Sequence, residues 1–174
     1  PYEMAEHELA ATERMRELGV NAPEPIEAFE YDGMGVLVLE YLPEFRTLDD
    51  LASETVDGLA PTVFEFLHRM HEDGLAHGDF RSENVLVAGD DLYFIDATSV
   101  RDAAIADARA YDLACALGAL EPLIGAHAAV DAARGQYTLS ELLAAEEFLD
   151  FVNIRPDHDF DAAVIRGAVE RAVE

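Results

Sequence analysis

The sequence predicts an α+β fold in which a small mixed lobe precedes a larger, mainly helical one. Three observations predict it. One helical pattern and two strand-like runs fill residues 1–42. A single hairpin pattern ending at Asp96 interrupts an otherwise helical remainder, residues 43–174. Apolar residues make up 51% of the chain, enough for a packed core.

The elements follow in order. Residues 3–18 set Met4, Leu9, Ala11, Met15 and Leu18 on one broad helical face, and Gly19 ends the helix. Asn21-Ala22-Pro23-Glu24-Pro25 is a loop with two prolines. Ile26–Tyr31 reads as a strand, Asp32-Gly33-Met34-Gly35 as a turn, and Val36–Tyr41 as a buried strand ended by Pro43. Thr47 stands where an N-cap would open a short helix at Leu48. Leu59–Glu72 is amphipathic through Val63, Phe66, Leu67 and Met70, with a stop at Gly74. Val85-Leu86-Val87 and Leu92-Tyr93-Phe94-Ile95-Asp96 flank a Gly89-Asp90-Asp91 turn. Helical patterns then cover 108–133, Leu139–Val152 and Ala162–Val173, with Thr138 or Ser140 to cap the middle one.

Composition narrows the class. There are 37 acidic residues against 11 basic ones, a net charge of −26, and every basic residue is an arginine. Such a surface repels itself at low salt and is rescued by screening, as suits a halophilic protein of a high-salt cytoplasm. The same charge disfavours direct binding to a nucleic-acid backbone, and the arginines are scattered. The single cysteine, Cys115, sits in an apolar run and reads as a buried structural thiol. No apolar stretch reaches membrane-spanning length.

The chemistry is concentrated in residues 77–96. His77-Gly78-Asp79-Phe80-Arg81-Ser82-Glu83-Asn84 puts an Asp and, five residues on, an Asn in one loop, and the hairpin then delivers Asp96. Phosphoryl transfer from ATP needs such a set: a carboxylate beside the incoming hydroxyl, and an Asn and a carboxylate to hold Mg²⁺ on the phosphates.

These residues resemble the protein-kinase-like superfamily, and within it the RIO-type atypical serine/threonine kinases, whose pattern is His-Gly-Asp-x-x-x-x-Asn followed by a strand ending Ile-Asp. Ala5-Glu6-His7-Glu8-Leu9, the segment Gly19–Ile26, Val36–Tyr41 and Tyr111-Asp112-Leu113 are similar to further pieces of that family in the right order. The resemblance implies a kinase-like fold with a partial N-lobe, 1–42, and a helical C-lobe, 43–174. It implies ATP and Mg²⁺ as cofactors, with Asp79 orienting the nucleophile and Asn84 and Asp96 holding the metal. Leu39, Glu40, Tyr41 and Leu42 would form the hinge that meets the adenine edge. Glu8 matches the helix Glu that pairs with a nucleotide-contacting lysine. That lysine and the glycine-rich loop lie upstream in the family and are not in this sequence, which is expected either as a fragment of a longer kinase or as a pseudokinase; the intact Asp79, Asn84 and Asp96 favour the fragment. Arg81 either touches the γ-phosphate or pairs with Glu83 or Asp79. His77 and Asp112 are expected to be architectural. Ala97-Thr98-Ser99 stands where ordinary protein kinases have Phe-Gly, and the helical pattern resumes too soon for a long activation loop.

The expected acceptor is a protein or small-molecule hydroxyl, or water. A ribosomal-subunit precursor is a partner implied by the resemblance alone. A small-molecule kinase of the aminoglycoside-phosphotransferase type shares the same motifs, and a pseudokinase binding module is the reading from another class. His68, His71, His77 and Asp79 raise a metal-hydrolase reading, weakened because the helix lacks the Glu of a zincin pair.

Overall fold

A computed structural model describes residues 2–98, 105–156 and 158–174. Ser99 lies outside them.

Helix α1 spans Tyr2–Glu17. Its inward stripe is Ala5, Thr12 and Met15 with Ala11 beside them, and the half-buried Glu8 lies on the same line. Met4, expected on that face, is instead 64% exposed. At this end the buried side runs through Ala5 instead, while Ala11 and Met15 are buried as expected. The chain turns at Gly19 with φ 79°, in the left-handed region that favours glycine.

Strands β1 (Pro25–Tyr31) and β2 (Met34–Leu39) form an antiparallel hairpin, and α1 packs across both. Its turn is two residues, Asp32 and Gly33, both at positive φ (51° and 77°), so the twist matches the strands without the four residues expected. β2 ends at Leu39 rather than Tyr41, opposite Pro25, which has no N–H to extend the ladder. The strand is half-buried, not buried as its apolar run suggested.

A second sheet has the order β3-β4-β5. β3 (Arg46–Thr47) is too short for its period to be read, and it pairs with β4 (Val85–Ala88). Thr47 makes no capping bond, and the helix expected after it is one 3-10 turn, Leu48–Asp50, that buries Leu48. β4 and β5 (Asp91–Phe94) close through Gly89, φ 63°, and Asp90.

Helix α2 runs Ser53–Glu72 and begins six residues before the expected Leu59. Gly58 and Pro61 read as breakers, yet Val56, Ala60, Val63, Phe64 and Leu67 continue one buried stripe through them. Pro61 and Asp57 face solvent, so the carbonyl freed by the missing N–H meets water.

The helical pattern at 108–133 is two helices, α3 (Ile105–Ile124) and α4 (Ala126–Ala133), parted by Gly125 at φ 87°. Leu139–Val152 is likewise split into α5 (Leu139–Glu146) and α6 (Leu149–Asn153). There the Phe148 N–H bonds the Ala145 carbonyl, a tightening that ends α5 and carries the Phe148 ring to Tyr111. Thr138, not Ser140, caps α5, in a reciprocal box with Glu141. Helix α7 is Ala162–Val173. No described helix is long and apolar enough to cross a membrane.

The core is centred on Phe64, Leu67 and Met70 of α2, Phe80 and Phe94 around the His77 loop, and Leu113, Leu117 and Leu120 of α3. Cys115 is buried in it, and burial pushes its thiol up to about 12. Gly118 of α3 makes room for the Phe160 ring; a Cβ there would lie 2.6 Å from it. Gly118→Ala is therefore expected to destabilise by about 1–3 kcal/mol in urea unfolding, despite its better helix propensity. A stabilised variant would refute the contact.

Candidate active site

The loop between α2 and β4 is held from beneath by Asp112, in the third turn of α3. Asp112 is fully buried. Its Oδ2 accepts the His77 amide at 2.7 Å and its Oδ1 the Gly78 amide at 2.9 Å. Gly78 sits at φ 88°, so the chain bends sharply there and presents Asp79 on the outer side. The same carboxylate receives His71 Nε2 at 2.8 Å, and His71 Nδ1 meets Tyr137 Oη at 2.8 Å. Burial pushes the Tyr137 phenol up, and Asp112 adds to it, so the hydroxyl keeps its proton.

His77 is architectural, as expected. Its Nε2–H donates to the Ile95 carbonyl at 2.9 Å, and Nδ1 accepts the Asp79 amide at 3.2 Å. Its ring packs edge-on to Phe80 and Phe94, with centroids 5.5 and 5.9 Å away. Burial lowers its pKa, which keeps the ring neutral in this bonding pattern.

The loop brings three of the motif residues together. Asn84 Nδ2 donates to the Asp79 carbonyl at 2.8 Å and approaches Asp79 Oδ2 at 3.4 Å. With Nδ2 so committed, Oδ1 is the amide atom suited to a cation. Asp96 is tied to the same loop through its neighbour: the Ile95 amide donates to the Asn84 carbonyl at 3.0 Å. Asp96 itself is exposed and at φ 59°, an uncommon conformation for a non-glycine residue. Arg81 lies 3.7 Å from Asp79 and 3.7 Å from Glu83, the pairing alternative.

Glu8 reports the charge here. Burial raises its carboxyl above the ordinary range, and Asp96 and Asp79 push it further the same way. Carboxylates of α1, the loop and the hairpin thus bear on one another electrostatically. A carboxyl raised on folding supports the fold while protonated, and that support is lost as pH rises through its folded value. Glu8→Gln is expected to raise the melting temperature at pH 7 in molar salt and to change it little below about pH 4, where the carboxyl is protonated. A lower melting temperature at pH 7 would contradict this.

The expected hinge residues lie apart from this cluster in their bonding. The Glu40 carboxylate accepts the Glu24 amide at 2.8 Å, with Arg16 3.8 Å away. Tyr41 is 74% exposed and edge-on to Phe45, while Leu42 is buried. The histidines do not build a metal centre: His68 pairs with Glu72, and His71 and His77 are engaged as above. Among the described residues no group of three or more His, Cys, Asp or Glu is placed to hold a metal.

Two contributions were not foreseen. Tyr137 follows α4 in a short polar connection, and a lone aromatic there was its only signal. Arg155, just past α6, donates to Tyr111 Oη and lies 5.9 Å from that ring; Tyr111 raises its pKa, and Asp79 adds to the rise. Nothing in the sequence spacing links it to the loop.

Residues 2–110 match the family model of the RIO domain. The chain belongs to the RIO domain family. Two curated relatives carry the likeness further. The RIO-type serine/threonine-protein kinase Rio1 of Haloferax volcanii is 31% identical over 93 residues, 51% of this chain and 31% of that protein. The KEOPS complex subunit Bud32 of Pyrococcus abyssi is 32% identical over 87 residues, 48% of this chain and 38% of that protein. This RIO domain chain thus spans about a third of the length of the curated relatives it matches.

Solved structures show the kinase-like fold of the RIO domain chain. The PAN3 pseudokinase of Drosophila melanogaster aligns over 92% of this chain and 53% of its own, with TM-score 0.50 and 15% identity. Vaccinia related kinase 3 aligns over 99% of this chain and 74% of its own, with TM-score 0.51 and 12% identity. At those identities the likeness is one of fold.

Proposed function

We propose that this chain carries the metal-binding and acceptor-activating part of a Mg²⁺-ATP-dependent phosphotransferase of the RIO serine/threonine kinase type. The observation that supports it best is the gathering of Asp79, Asn84 and Asp96 around one braced loop. The unfavourable charge sensed by Glu8 adds to it. In this reading residues 1–42 are the nucleotide-side lobe and 43–174 the acceptor-side lobe. Leu39, Glu40, Tyr41 and Leu42 offer backbone groups to the adenine. Asn84 Oδ1 and the Asp96 carboxylate would hold Mg²⁺, which would supply positive charge to the phosphates. Asp79 accepts the hydrogen of a serine or threonine hydroxyl, or of water in an ATPase reaction, and keeps its oxygen in line. Arg81, beside Asp79, is the guanidinium we assign to the γ-phosphate.

The test is a thermal-shift titration with Mg²⁺-ATP in molar salt. Binding should stabilise the chain by about 2.7 kcal/mol at a hundredfold excess over Kd. The shift should need Mg²⁺ and vanish in Asp96→Ala. A wild-type chain that ignores Mg²⁺-ATP would overturn the reading for this chain.

A further inference from the structure

Asp112 can hold the site loop only if the imidazole beside it presents a proton. Asp112 Oδ2 already takes the His77 amide at 2.7 Å and also faces His71 Nε2 at 2.8 Å. If Nε2 carried its lone pair, two acceptors would oppose each other in a site closed to water. The carboxylate would then be driven off the loop amides. His71 must therefore keep a proton on Nε2. Its Nδ1 lies on the other edge of a ring only 1% exposed, so it too needs a partner within the protein.

Tyr137 supplies that partner. Its hydroxyl lies 2.8 Å from His71 Nδ1 and is itself buried in the connection between α4 and α5. With Nε2–H committed to Asp112, the phenol O–H donates to the Nδ1 lone pair and holds that tautomer in place. Its ring is fixed by edge-on contacts with Phe64, His68 and His71, at 6.4, 5.2 and 5.8 Å between centroids. The hydroxyl therefore has one place to point. We propose that Tyr137 is a positioning residue for the site: through the His71 tautomer it sets the grip of Asp112 on the His77 and Gly78 amides, and hence the place of Asp79. The consequence for phosphoryl transfer rests on the function proposed above; the consequence for the loop does not.

Tyr137→Phe keeps the ring and removes only the hydroxyl. In the full chain in molar salt, the His77 and Gly78 amides are expected to exchange with deuterium about tenfold faster, roughly a 1.4 kcal/mol looser grip. Other core amides of α2 and α3 should keep their rates. In a His71→Gln background the same change should add nothing to those two rates. Unchanged rates at His77 and Gly78, or a uniform acceleration across α2 and α3, would overturn the proposal. The wild-type chain gives a check that needs no variant: ¹⁵N shifts should show His71 protonated at Nε2 and bare at Nδ1, and the opposite tautomer overturns the proposal by itself. None of these readouts uses nucleotide. Failure to bind Mg²⁺-ATP would therefore count against the function alone, and slow loop exchange in Tyr137→Phe against this inference alone.

Discussion

Asp112→Ala is expected to cost about 3–5 kcal/mol in urea unfolding, the largest loss of any single substitution near the site. The carboxylate is fully buried and accepts three hydrogens, from His71 Nε2 and from the amides of His77 and Gly78. Alanine leaves the buried His71 Nε2 and His77 amide, and the half-buried Gly78 amide, without their acceptor. Asn is nearly as poor, since its amide nitrogen would turn a donor toward a donor. The Gly78 bend at φ 88° then loses the bonds that hold it. Measured in molar salt, where surface repulsion is screened, a loss below 1 kcal/mol would show that the loop does not lean on α3.

Asp79→Asn should leave the fold and the Mg²⁺-ATP thermal shift nearly intact while lowering ATP turnover by about 10²–10⁴-fold. The amide is the same size as the carboxylate and keeps the backbone bonds that the loop uses: the Asp79 carbonyl to Asn84 and the Asp79 amide to His77. What it lacks is the basic oxygen for the hydroxyl hydrogen. The contrast with Asp96→Ala separates two roles, because that change should remove the metal-dependent shift as well. Turnover within tenfold of wild type in Asp79→Asn would reassign the acceptor-orienting group.

Much of this was legible before any coordinates. The His77–Asn84 spacing and the Ile95-Asp96 strand end mark the loop by their resemblance to the RIO-type pattern. The same resemblance sets Asp112 beneath the loop, and it does accept the His77 and Gly78 amides. Element ends were less so. Gly58 and Pro61 look like stops, but the tertiary burial of Val56 and Ala60 overrides local preference. The break at Gly125 and the one before Phe148 lie inside apolar runs whose periodicity does not change. β3 is two residues long and exists only because β4 lies beside it. Tyr137 reaches His71 from 66 residues away, a distance no local pattern encodes.

The far end of α1 is joined to α2 twice over. Arg14 grips Asp73 with two parallel bonds, 2.9 and 2.7 Å, and Arg69 reaches the Gly19 carbonyl at 2.8 Å. Met15 is sunk in the core at the same point, whereas Tyr2 and Met4 at the opposite end are open to solvent. The helix is thus fastened to α2 at one tip, with Glu8 midway along it and both hairpin strands packed against it. Sliding α1 along its axis would break the Arg14 and Arg69 bonds together, so these two arginines fix the depth at which Glu8 stands beside the loop.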